Sequence, residues 1–158
     1  MKKIILSIFS MFIVMPFCLS NMLYAKAYDN STQIIRYYEY YNDGSYSIIT
    51  IYEHNNSQKA NQTSGIKNTI YYNSSNEKQW EYEINGFFNY TGSSSTCTSV
   101  SDSYSIFNNN WHINSHSCWK SGNTAYGSVT MDYKLFGITI NSVSKSLNLS
   151  CSPSGVLS

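Results

Sequence analysis

Charge is scarce in this chain. Only 12% of its 158 residues are Asp, Glu, Lys or Arg, and the formal net charge is +1. That balance excludes a polyelectrolyte held open by self-repulsion and a basic nucleic-acid binder. Long hydrophobic runs are missing too. The longest, Ile4 to Leu19, is interrupted by Ser7, Ser10 and Pro16 and falls short of the ~20 residues a bilayer-crossing helix needs. Proline occurs twice, at Pro16 and Pro153, so nothing between them breaks an extended strand. No Gly-x-Ser-x-Gly elbow or other local nucleophile signature is present, and the length leaves room for one ordinary domain.

What is abundant is uncharged and polar. Ser, Asn and Thr number 28, 18 and 10, and aromatics make up 16% with 15 tyrosines. This is the composition of strands joined by Asn/Ser turns. Met1-Lys2-Lys3 ahead of the apolar run, with the small residues Ala25 and Ala27 behind it, reads as an export signal over 1–27 and a single domain over 28–158. Phe17 before Cys18 argues against lipid attachment there. Removing Lys2, Lys3 and Lys26 leaves seven basic against nine acidic residues. The expectations are a secreted, extracellular protein, no nucleic-acid partner and no membrane insertion after signal cleavage.

The rest predicts about eight antiparallel strands, an all-β immunoglobulin-like sandwich. Gln33 to Glu53 reads as a hairpin around Asn42-Asp43-Gly44, its register open between a two-residue and a bulged three-residue loop. His54 to Thr63 lacks hydrophobic period and reads as loop. In Gln79–Tyr90, Trp80, Tyr82, Ile84, Gly86, Phe88 and Tyr90 share one face; Glu81, Glu83, Asn85 and Asn89 share the other, expected to be solvated, with Phe87 as the exception. Thr124 to Leu135 alternates as cleanly, and a phase change in the last strand predicts a bulge at Asn141-Ser142.

Three cysteines follow the signal. Cys151 shares the phase of Leu147 and Leu149 and faces inward, whereas Cys118 shares a polar strand face with His112, Asn114, His116 and Lys120. One disulfide, Cys97 to Cys151, is therefore expected, with Cys118 a route to a linked dimer. His112 and His116 are metal-ligand types, yet on a straight strand they stand roughly 13 Å apart, too far for one zinc ion. Glu81 and Glu83 have glycosidase-like spacing but equal exposure, which denies them the unequal pKa values that chemistry requires. No catalytic residue, metal or cofactor is expected.

Tyr37, Tyr38, Tyr40, Tyr41 and Tyr46 crowd one hairpin, which has two faces and at most one core side. Exposed rings beside Asn and Ser are what glycan-binding and protein-binding surfaces use. These five tyrosines are the candidate binding residues, and the expected function is non-enzymatic surface recognition of an extracellular glycan or protein. A secreted bacteriocin-like or antagonistic toxin is the alternative.

Gly86 through Ser99, Lys120 through Ala125 and the ending Leu149 through Ser158 resemble a group of small exported β-rich proteins from Gram-positive bacteria. The resemblance supports pairing Cys97 with Cys151, which lie in the matching segments, and implies no activity or ligand.

Overall fold

The computed structural model describes residues 31–54 and 61–158. The expected export segment and most of the 54–63 loop lie outside them. Every element among the described residues is an antiparallel strand: β1 (Ser31–Tyr40), β2 (Tyr46–His54), β3 (Gln62–Tyr72), β4 (Lys78–Tyr90), β5 (Ser95–Ile106), β6 (Trp111–Ser121), β7 (Thr124–Leu135) and β8 (Ile138–Ser150). They form two sheets, ordered β1-β2-β3-β4-β5 and β6-β7-β8. Immunoglobulin-like domains interleave their strands between sheets; here each sheet is a plain meander, so that part of the expectation is corrected.

Turn chemistry sets the register. Tyr41 N donates to Ser45 O at 3.0 Å around a three-residue loop that ends on Gly44 at φ +81°. The Asp43 carboxylate accepts from Ser45 N (3.0 Å) and Ser45 Oγ (2.6 Å). The bulged alternative therefore holds, and Tyr40 lies opposite Tyr46. Between β7 and β8 the loop is only Phe136-Gly137, both at positive φ, as a type I′ turn demands.

The core joins the two sheets. Trp80, Tyr82, Ile84 and Phe88 of β4 share it with Ala125, Val129 and Met131 of β7 and Leu147 and Leu149 of β8. Gly127 makes the closest approach possible: a Cβ there would lie 2.5 Å from the Tyr82 hydroxyl oxygen. Lys67 sits in this apolar interior, opposite Ile51 and Ile84 in register. After β8 the chain folds back, and Leu157 is buried beside Gly65.

Three strand-level expectations change. β6 has a bulge between Ile113 and Ser115 that reverses its facing, so His116, Cys118 and Lys120 take the inward register of Val129, Gly127 and Ala125. The bulge in β8 falls at Ile140 rather than Asn141-Ser142. Glu81 faces outward but is buried, bonded to Lys78 (2.9 Å) and Asn68 (3.2 Å), on a face that also carries the buried Ile48 and Ile66.

Cys97, Cys118 and Cys151 are free thiols. Cys97 and Cys151 share the core as expected, but they do not stand at disulfide distance; the Cys97 thiol donates to Ser99 O and the Cys151 thiol to Ser152 O, both at 3.4 Å.

Candidate functional site

The register of β1 on β2 assembles an aromatic ladder on the outer sheet face. Tyr38 and Tyr40, two residues apart, stack with centroids 6.1 Å apart and planes 11° from parallel. Tyr46, opposite Tyr40, lies 5.8 Å from it and 6.3 Å from Tyr38. Tyr46 then stacks on Tyr72 of β3 at 5.0 Å and 6°. Exposure is graded, from 75% at Tyr40 and 48% at Tyr38 down to 8% at Tyr72. The inner rings anchor the outer two, which limits the rotamer entropy a ligand must overcome. The Arg36 guanidinium lies 5.7 Å over the Tyr38 ring, adding a cation at the same surface.

Three of the five sequence candidates, Tyr38, Tyr40 and Tyr46, therefore come together. Tyr37 points to the opposite face of β1, where burial pushes its phenol up. Tyr41 is turned toward the core margin, bonded to Ser47 Oγ at 3.1 Å, packed on Tyr71 and covered by the Lys145 ammonium at 4.7 Å. Lys145 also pairs with Glu39, which ties β8 to β1. Tyr72 and Arg36 were missed; the β2–β3 register was the signal for the first.

A second constellation lies where β5 and β6, consecutive in sequence, belong to different sheets. The Asp102 carboxylate accepts from Tyr82 OH at 3.0 Å and from His116 Nδ1 at 2.9 Å. Tyr104 meets the His116 ring edge-on at 5.2 Å. Burial raises Asp102, but hydrogen bonds from His116, Tyr82 and Cys118 outweigh it and hold the carboxyl below the usual range. Burial, then Asp102, pushes Tyr82 strongly up. The Cys118 thiol, 3.9 Å from Val100 O, is likewise raised by burial first and Asp102 second.

Burial and the negative charge of the carboxylate beside it both oppose a thiolate, so the thiol stays protonated, the reverse of an activated nucleophile. His112 lies across the bulge, level with Asp132. Among the described residues no group of three His, Cys, Asp or Glu side chains is placed to hold a metal ion. Glu83 accepts from Ser103 at 2.7 Å, while Glu81 is paired with Lys78.

No protein-family model, curated protein or solved structure matches the chain.

Proposed function

We propose that this is an exported, non-enzymatic two-sheet sandwich protein that recognises an extracellular glycan or protein through the Tyr38–Tyr40–Tyr46–Tyr72 ladder. The observation that carries the reading is the graded ladder itself: two rings presented to solvent, two holding them in place, and a guanidinium alongside. Aromatic faces supply contact area at low entropy cost, and phenol hydroxyls supply the hydrogen bonds that sugars and peptides need. In the oxidising environment outside the cell, Cys97 and Cys151 close into the one disulfide, supported by their common place in the core. Cys118 faces the β5–β6 seam, so a dimer linked through it requires that seam to open.

Binding to a glycan array and to cell-wall preparations tests the reading. Tyr38→Ala and Tyr40→Ala should each weaken capture about tenfold, in line with one lost aromatic contact of roughly 1–2 kcal/mol. Capture unchanged by both substitutions together would refute it. The exposed apolar residues at 135–140 favour the second reading, an antagonistic toxin. Growth inhibition of neighbouring bacteria by purified protein is its test.

A further inference from the structure

The three-stranded sheet turns its outer face to solvent, and that face carries an exposed tryptophan. Cross-strand register sets Trp119 of β6, Tyr126 of β7 and Asn148 of β8 in one row. Tyr126 stacks on the indole with centroids 5.4 Å apart and planes 6° from parallel, yet Trp119 remains 48% exposed. The ring is therefore held in place before any partner arrives, and little rotamer entropy is left to lose. Hydroxyl pairs flank it on both sides. Ser117 and Ser128 lie opposite one another on one side, their oxygens 3.0 Å apart, and Thr124 and Ser150 on the other, 2.9 Å apart. Each pair stands two residues from the aromatic row, about 6.6 Å at strand rise. The pairing fixes what each side offers. Thr124 Oγ1 donates to Asn123 Oδ1 at 3.2 Å, so it accepts from Ser150, whose oxygen keeps room to accept in turn. Of Ser117 and Ser128 one donates to the other, which leaves the second with its own hydrogen to donate outward.

We infer that this face is a second binding surface and that it takes a neutral glycan. It lies on the other sheet from the tyrosine ladder and stands independently of it. Charge selects the partner. Among the described residues, the outer face over 115–121, 124–130 and 144–150 carries aromatic, hydroxyl and amide side chains and no charged one. The bases of the same strands take the inward register and are engaged there: Lys120 donates to Thr98 O and Lys145 pairs with Glu39. The first acid along β7, Asp132, is six residues beyond Tyr126, about 20 Å at strand rise, and is held by Ser142 and Asn114. An acidic polysaccharide or a charged peptide would lose water here and gain no counter-charge. The same stretches present no aliphatic side chain on this face, so a lipid surface or an apolar helix finds little to bury against. What fits is a molecule with an apolar ring face and a fringe of hydroxyls. A pyranose stacked on the open part of the indole buries its C–H face there. Its hydroxyls, which both donate and accept, then reach the Ser117–Ser128 donor on one side and the Ser150 acceptor on the other, directly or through one water. Alternation alone hides this surface, because Trp119 falls in the inward phase until the bulge at Asn114 is counted.

Trp80 and Trp111 are buried, so acrylamide quenching of tryptophan fluorescence reads Trp119. The probes are cellohexaose, N-acetylchitohexaose and mannohexaose, all neutral, with hexagalacturonate as the acidic counterpart. At least one neutral probe should shield Trp119 from quenching, with an affinity that salt leaves unchanged, and hexagalacturonate should not. In calorimetric titration of the same probe, Trp119→Ala should weaken binding about tenfold or more, Trp119→Tyr should keep part of it, and Ser128→Ala should weaken it severalfold. Tyr38→Ala should leave it unchanged, which separates this face from the aromatic ladder. No shielding by any neutral probe at millimolar concentration would overturn the inference. So would binding that Trp119→Ala leaves intact or that Tyr38→Ala abolishes, because the glycan would then sit elsewhere. Equal binding of hexagalacturonate would overturn it too, since the lack of charge would not be what selects the ligand.

Discussion

Asp102 on β5 and His116 on β6 meet at 2.9 Å across the one place where consecutive strands change sheet. The same carboxylate accepts from Tyr82 of β4, so a single side chain joins three strands and both sheets. Its pKa is depressed in the folded state, so its contribution is present above the unfolded value of about 3.9 and is lost as pH falls through the folded one. Asp102→Ala should cost about 1–3 kcal/mol at neutral pH. The gap between wild type and variant should narrow as pH falls from the unfolded value through the lower folded one. Urea midpoints across that range measure it. Asp43 and Asp132, also held low, titrate equally in both proteins and cancel in the difference. A gap that stays constant into acid would show that the carboxylate charge is not what joins the seam.

Gly127 faces Tyr82 and Ile84 so closely that Gly127→Ala must push the sheets apart. Overpacking of this kind costs about 1–3 kcal/mol, a fall in Tm of several degrees for a domain this size. Tyr82→Phe removes the oxygen the new methyl meets, so the double variant should lose less than the two single losses added together. Calorimetry of the four proteins decides it; strict additivity would mean that Ile84 alone carries the clash.

Where side chains alternate without interruption, the structure matches the sequence reading. Trp80, Tyr82, Ile84 and Phe88 are buried, and Phe87 on the other face is exposed. β6 resisted the same logic because its bulge inserts one residue, and a period of two cannot register that. Trp119 consequently lies outside, stacked on Tyr126 at 5.4 Å, while Cys118 turns toward the seam. Glu81 failed for another reason: the outer face is itself lined with Ile48 and Ile66, a signal present in the unalternating run Ile48-Ile49-Thr50-Ile51. Alternation along β1 already sets Tyr37 and Tyr41 apart from Tyr38 and Tyr40; the three-residue loop decides only that Tyr46 joins the latter pair.

Cys97 and Cys151 are free here and buried in one core. Burial pushes both thiols up, so both stay protonated and slow to react in the reduced fold. Air-oxidised or export-derived protein should carry a Cys97–Cys151 bond, found by non-reducing peptide mapping. It should be more stable than the reduced form by roughly 4 kcal/mol from loop closure, less any native strain. Cys118→Ser should leave both results intact. Mapping that places Cys118 in the only intramolecular bridge would refute the pairing.

Lys67 lies on the inner face of β3, with Ile51 and Ile84 as its cross-strand neighbours. Its ammonium lies 3.5 Å from Asn148 Oδ1, a marginal hydrogen bond, and the nearby Glu39 carboxylate is engaged by Lys145. Burial lowers its pKa, and Glu39 offsets only part of that. A depressed lysine opposes folding while charged, and the penalty lifts as pH rises from the folded value toward the unfolded one near 10.4. Lys67→Met keeps the volume and removes the charge, so it should stabilise the protein by about 1–2 kcal/mol at pH 7. That advantage should shrink as pH approaches about 10. The buried hydroxyls of Tyr71, Tyr72 and Tyr82, raised in the fold, act in the opposite sense above about pH 10, but equally in both proteins. Urea midpoints of the two proteins against pH measure the effect. A variant less stable than wild type at pH 7 would mean that the contact with Asn148 and the field of Glu39 more than compensate the cost of burying the charge.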